Sequence, residues 1–349
     1  MIPKVMIILG SASDKDVALK SIKILEKLQI PYSLKVASAH RTHDKVKKLV
    51  IDATNNGVEV FIGIAGLAAH LPGAIAAYTH RPVIGVPVEG AVGGLDALYA
   101  CVQMPFPTAV TTVGINRADN AAILAGEIIA SYDEGVAENI SKLREEYQRK
   151  VEAGEEELLE SIEGEYFQKD FLADEKYEKI EFEELDDTPD VMILAGSYSD
   201  MEIAKDVAIL LERMKIEYKL DYISPIRHAK DFESYMSKRN NAKIFIAISG
   251  LSALVAGSVV ALTEKPVIGV PCSKKLDGQD ALLTMANMPP GVPVGTVGID
   301  NGRNAAIVAG EILAISNKDI EKNLKWIKYK NADLWIIFSM NKINFKKNE

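Results

Sequence analysis

KVMIILGSASD at residues 4–14 and DVMILAGSYSD at residues 190–200 decide how this chain is read. Each is an apolar run that stops at a glycine and enters a Ser-x-Ser-Asp turn. A short continuous apolar run bounded by a turn reads as a strand buried on both faces. After the first copy, Ala18, Ile22, Leu25 and Leu28 fall on one helical face, so the unit is strand, turn, helix.

Working outward, the likeness between the two stretches continues. RPVIGVPV (81–88) corresponds to KPVIGVPC (265–272), and GINRADNAAILAGEIIA (114–130) to GIDNGRNAAIVAGEILA (298–314). The offset is 186 residues at the start and 184 from about residue 60 onward. This is one duplicated domain rather than a many-repeat solenoid. Within a copy, YSLKVAS (32–38), VEVFIGIA (58–65), PVIGVPV (82–88) and TAVTTVG (108–114) read as further strands. Helical stretches lie between them, and Val46, Leu49, Val50 and Ala53 mark one amphipathic face. Alternating buried strands and helices predict a parallel sheet covered on both sides. Each copy is therefore expected to be a three-layer, doubly wound α/β domain with a mainly parallel sheet of about five strands. The expected boundaries are a first domain at 1–150, an acidic helical linker at 151–189, a second domain at 190–331 and a tail at 332–349. Leu158, Leu159, Phe167 and Phe171 are the scattered apolar residues of the linker.

Composition narrows the function classes. The net charge of −9 argues against general nucleic-acid binding. Residues 131–190 hold 22 Asp/Glu against 7 Lys/Arg, a net of −15, which leaves +6 for the rest and tolerates an anionic small substrate. No uncharged apolar run reaches the ~18 residues of a membrane span. The opening MIPKVMIILGSAS lacks a basic region and a cleavage site, so it reads as a first strand rather than a signal peptide. Cys101 and Cys272 occupy unrelated positions in the two copies, which fits a reduced, cytoplasmic protein without disulfides.

In open parallel α/β sheets, ligands bind at the carboxyl ends of the strands. Three segments reach that edge in the first copy. GSASD (10–14) offers the hydroxyls of Ser11 and Ser13, and Asp14 to cap a helix or accept from a sugar. SAHRTH (38–43) brings Arg41, a planar donor suited to phosphate, and His40, an imidazole of the kind that titrates near neutrality. AGLAAHLPG (65–73) brings His70 on a small-residue backbone that a flat ring can approach. Zinc spacing, a Walker lysine, GxGxxG and GxSxG are all missing, so no cofactor, metal or covalent nucleophile is expected.

GSASD, SAHRT, AAHLPG, PVIGVPV, GLDAL, VQMP and NAAILAGEI, in this order, resemble the class I N5-carboxyaminoimidazole ribonucleotide mutases, which group with the phosphoribosylaminoimidazole carboxylases. The resemblance covers 4–150 and, more weakly, 190–331. It implies a flavodoxin-like fold and a role in purine biosynthesis. The implied reaction moves a carboxylate from the exocyclic nitrogen of an aminoimidazole ribonucleotide to ring carbon 4, without metal, ATP or biotin. It further implies that Ser11, Ser13 and Arg41 hold the 5′-phosphate region, Asp14 the ribose, and that Ser38 shapes the pocket. His40 would be the general acid/base, and Ala68, His70 and Leu71 would line the base and carboxylate pocket. Direct carboxylation of aminoimidazole ribonucleotide by CO2 uses the same groups and stays open as an alternative, as does a ribonucleotide-binding regulator. A related carboxylase of pyridine mononucleotides ranks lower. Family octamers imply that four tandem chains form a homotetramer imitating eight domains.

Two departures stand out. His43 takes a position usually held by proline, which would loosen that loop, and EGAVGG (89–94) is about a residue short and carries Glu89. The second copy departs further. Ser197, Ser199, Asp200 and Arg227 remain as a possible vestigial ligand site, but His40 becomes Ile226 and His70 becomes Leu254. Isoleucine cannot shuttle a proton, so the second copy is expected to be catalytically silent.

Overall fold

The computed structural model describes residues 2–160 and 188–330. Residues 161–187 of the linker expected at 151–189, with Phe167 and Phe171, and the tail expected at 332–349 lie outside the described residues.

The first half runs β1 (Val5–Leu9), α1 (Lys15–Lys27), β2 (Tyr32–Val36), α2 (His43–Asn55), β3 (Val60–Gly66), α3 (Leu71–Ala76), β4 (Val83–Val88), α4 (Leu95–Val102), β5 (Thr111–Thr112) and α5 (Ala118–Ala130). A long helix, α6 (Glu134–Glu160), follows and runs through residue 150 without a break. The second half repeats the order as β6 (Val191–Ala195), α7 (Met201–Met214), β7 (Tyr218–Tyr222), α8 (Phe232–Ser237), β8 (Ile244–Ser249), α9 (Leu254–Leu262), β9 (Val267–Pro271), α10 (Gln279–Ala286), β10 (Gly295–Thr296) and α11 (Gly302–Leu313), with α12 (Lys318–Lys325) after it.

Each half has the flavodoxin-like order 2-1-3-4-5. The two halves do not form separate sheets. All ten strands make one sheet in the order β2-β1-β3-β4-β5-β10-β9-β8-β6-β7. Within each half every pairing is parallel, and the halves meet where Thr112 pairs antiparallel with Thr296. The strand ends of the two halves therefore face opposite edges. The seven-residue strand expected at 108–114 shrinks to Thr111–Thr112, because only those residues find a ladder partner.

Side chains on a strand alternate between faces. Val5, Ile7 and Leu9 join a core beneath α1, α5, α7 and α11 that is continuous across both halves. Met6 and Ile8 face a separate core beneath α2, α3 and α4, and the second half has its own counterpart beneath α8, α9 and α10. One layer thus binds the halves together while the other stays private to each.

The contacts between halves are reciprocal, as a two-fold axis requires. Asn120 Nδ2 donates to the carbonyl of Met288 (3.1 Å), and Asn304 Nδ2 donates to that of Met104 (2.9 Å). Arg144 on α6 pairs with buried Glu127 at 2.9 Å and reaches the Thr263 carbonyl of the second half at 3.3 Å. Lys328, past α12, pairs with buried Glu311 and reaches the Thr79 carbonyl of the first half at 3.0 Å. Each half sends its last helix onto the other.

His80 completes this clasp, 2.9 Å from Glu321 on α12. Burial first, then Lys325 and Arg81, push its imidazole down to about 4. Against a burial that raises it, hydrogen bonds from Lys325 and Lys318 hold Glu321 at about 2. An unfolded histidine takes a proton near pH 6.5, whereas His80 in the fold resists until about pH 4. This share of stability is present above pH 6.5 and is lost as the pH falls to 4, on the order of 3 kcal/mol in all. His80→Gln should flatten the fall in urea-unfolding free energy across that window. An unchanged slope would mean that other groups carry it.

Candidate active site

Gly10 ends β1 and turns the chain into the Ser11–Asp14 segment. Ser11 Oγ accepts from the Ser13 N–H at 3.3 Å. Ser13 Oγ lies 2.9 Å from Ser11 Oγ and 3.1 Å from Asp14 Oδ1, and its single proton serves one of them. Asp14 stands at the start of α1 without a capping hydrogen bond, so its carboxylate remains available to a ligand.

The end of β2 is tied by side chains as well. Ser38 Oγ accepts from the Arg41 N–H at 3.2 Å, and Thr42 Oγ1 accepts from the Ser38 N–H at 2.8 Å. This turn leaves His40 and Arg41 exposed at its tip. His43 opens α2 and is anchored 2.9 Å from the Tyr78 hydroxyl.

The loop after β3 carries backbone strain. Leu67 has φ +53° and Ala69 φ +25°, in the left-handed region that costs a non-glycine residue ~1–3 kcal/mol. Leu251 (φ +59°) and Ala253 (φ +46°) repeat this in the second half, so the strain belongs to the architecture. In the first half the loop delivers His70 opposite His40, with Nε2 of His40 2.9 Å from Nδ1 of His70. One ring must donate and the other accept, so their tautomers are coupled.

Ser11, Ser13, Asp14, Ser38, His40, Arg41, Ala68, His70 and Leu71 all line one cavity of about 640 Å³. That lies within the ~300–1,000 Å³ of small-molecule sites. Gly66 and Leu67, within the AGLAAHLPG segment, line the cavity too, and the sequence reading gave no individual role to them, to Val88 or to Gly90. The rule that found the other loops, carboxyl ends of parallel strands, reaches these too. Glu89, noted only as a departure, also lines the cavity and is held by Asn116, whose Nδ2 donates to Glu89 Oε2 at 3.1 Å. A neighbouring cavity of about 360 Å³, lined by His43 and Met104, shares His40 and His70 as a wall.

The second half has the equivalent cavity, lined by Ser197, Ser199, Asp200 and Arg227, but it measures about 130 Å³. Ile226 and Leu254 are exposed apolar side chains where the first half has its two imidazoles.

The "AIR carboxylase" family model matches residues 4–150 and again 190–333. A protein of Methanothermobacter thermautotrophicus called a probable N5-carboxyaminoimidazole ribonucleotide mutase is 57% identical over 95% of this chain and 99% of its own length. One of the same name from Methanobrevibacter smithii is 52% identical over 96% of this chain and 100% of its own. The N5-carboxyaminoimidazole ribonucleotide mutase of Methanocaldococcus jannaschii is 48% identical, with 98% of its length matched by 45% of this chain. The chain belongs to the AIR carboxylase family, one family domain in each half.

Proposed function

We propose that the first half converts N5-carboxyaminoimidazole ribonucleotide to 4-carboxy-5-aminoimidazole ribonucleotide, a step of purine biosynthesis. The observation that carries this reading is the His40–His70 pair, 2.9 Å apart, in the wall of a cavity that also presents Ser11, Ser13 and Arg41.

Ser11, Ser13 and Arg41 hold the phosphate end through hydroxyl and guanidinium donors, and Asp14 accepts from the ribose. Ser38 fixes the turn that carries His40. Ala68, His70 and Leu71 flank the imidazole base. His40 gives a proton to the exocyclic nitrogen as its bond to the carboxylate carbon breaks, and CO2 is released. Ring carbon 4 then attacks that CO2. His40 takes the proton this carbon sheds, and the ring regains its aromaticity. One proton leaves the imidazole and one returns, so no cofactor is consumed. Holding CO2 beside the ring makes its recapture effectively unimolecular. The second half, with Ile226 and Leu254, does no chemistry, and four chains assemble as a tetramer of eight domains.

Purified protein should convert N5-carboxyaminoimidazole ribonucleotide without ATP or added bicarbonate, followed by absorbance of the carbon-4 carboxylate. Turnover only from aminoimidazole ribonucleotide at high bicarbonate would replace this reading with direct carboxylation. No turnover of either would end it.

A further inference from the structure

We infer that the cavity of the second half is a binding site for a small oxyanion of the phosphate class and is closed to ribonucleotides. The starting point is what this half gained, not what it lost. Gly90 of the first half corresponds to Lys274, Ala65 to Ser249, and Glu89 to Ser273.

Lys274 changes the space. Its stem lies against Gly250, where an added Cβ would stand 2.6 Å from Lys274 Cγ. Its ammonium donates to the Ser199 carbonyl at 2.9 Å and sits 3.4 Å from Asp200 Oδ1. Asp200, equivalent to Asp14, is 1% exposed and committed to this cation. The carboxylate that would take sugar hydroxyls is thereby used up, and the cavity falls from about 640 to about 130 Å³. On the same measure the second cavity is about a fifth of the first, a space better matched to a tetrahedral oxyanion than to a ribonucleotide.

Charge and donors agree with the smaller ligand. With the imidazoles neutral, Arg41, Asp14 and Glu89 give the first cavity a net of −1, whereas Arg227, Lys274 and Asp200 give the second +1. Arg227 engages the Gly196 carbonyl (3.1 Å) and the Tyr222 hydroxyl (3.0 Å) through Nη1, and its Nε and Nη2 donate to nothing among the described residues. Ser249 is 5% exposed and lines the cavity, and its Oγ has no hydrogen-bond partner among the described residues. A buried hydroxyl without a partner is costly, and turning this side chain toward the cavity would give it an oxyanion as acceptor.

The test is calorimetric titration of the full chain carrying Arg41→Met, which weakens the first cavity's hold on phosphate. Inorganic phosphate should bind at one site per chain, and adding Arg227→Met should weaken it at least ~10-fold, as expected for loss of a charge-assisted hydrogen bond. Ribose 5-phosphate should bind the Arg41→Met chain at least ~10-fold more weakly than inorganic phosphate, and Lys274→Gly should narrow that gap by opening the cavity. No phosphate uptake by the Arg41→Met chain would overturn the inference. So would an affinity indifferent to Arg227, or ribose 5-phosphate binding as tightly as phosphate.

Discussion

His40→Asn is expected to leave folding intact and to lower turnover of N5-carboxyaminoimidazole ribonucleotide by ~10²–10⁴-fold, the usual worth of a positioned acid/base group. The side chain is exposed, and among the described residues its side-chain hydrogen bond is to His70. Asparagine can keep a hydrogen bond there but cannot carry a proton between nitrogen and carbon. The loss should therefore fall on kcat, with KM nearly unchanged, because the phosphate and ribose contacts belong to other residues. Steady-state assays on the variant, with thermal unfolding as the control for folding, check this. A loss under tenfold would move the proton transfer to another group, and His70 is the nearest.

The second large effect is on stability. Above pH 8, where Glu127 is ionised against it, Arg144→Met should cost up to ~3–5 kcal/mol, a large part of the ~5–15 kcal/mol that holds an ordinary domain together. Glu127 is fully buried on α5, and Arg144 is its ion-pair partner among the described residues. Burial pushes the Glu127 carboxyl up to about 8, with Arg144 pulling the other way. Its folded value thus exceeds the unfolded one of about 4.5, so its contribution is fully present below pH 4.5 and is lost as the pH rises through 8. Removing Arg144 leaves burial unopposed and drives the carboxyl higher still. The deficit of the variant should accordingly be larger at about pH 9.5 than at pH 5.5, where Glu127 is protonated with or without Arg144 and only hydrogen bonds are lost. Urea unfolding at the two pH values measures both numbers. Arg144→Met combined with Glu127→Leu should recover much of the loss, since an apolar pair replaces a buried ion pair at little cost. Equal losses at both pH values would show that the severed bonds to the Val260 and Thr263 carbonyls, not the stranded carboxylate, dominate.

Much of this was legible in the sequence for definite reasons. VMIIL and VFIGIAG are buried on both faces, so their apolar runs are uninterrupted and hard to mistake. The loops that follow them lie at the sheet's carboxyl edge by topology alone, which is why Ser11, Arg41 and His70 could be grouped before any coordinates. The junction of the halves was not legible. Within the sheet it rests on Thr112 and Thr296, single residues of two-residue strands, and their pairing is an association between domains that no local periodicity encodes. The 2.9 Å between His40 and His70 was equally hidden, because the left-handed backbone of Leu67 and Ala69 sets it. Lys274 was not singled out in the sequence, because the second half was read for its missing histidines and its retained Ser197, Ser199, Asp200 and Arg227.

The reciprocal seam has a genetic consequence. In a dimer of identical subunits, one codon writes both active sites, and neither can change without the other. Here the two-fold-related contacts of Asn120 with Met288 and Asn304 with Met104 hold two halves that are encoded separately. Residue 226 can be isoleucine while residue 40 stays histidine. The chain is in effect a heterodimer of fixed one-to-one stoichiometry, translated as a single polypeptide, in which one pocket is free to specialise without taxing the other.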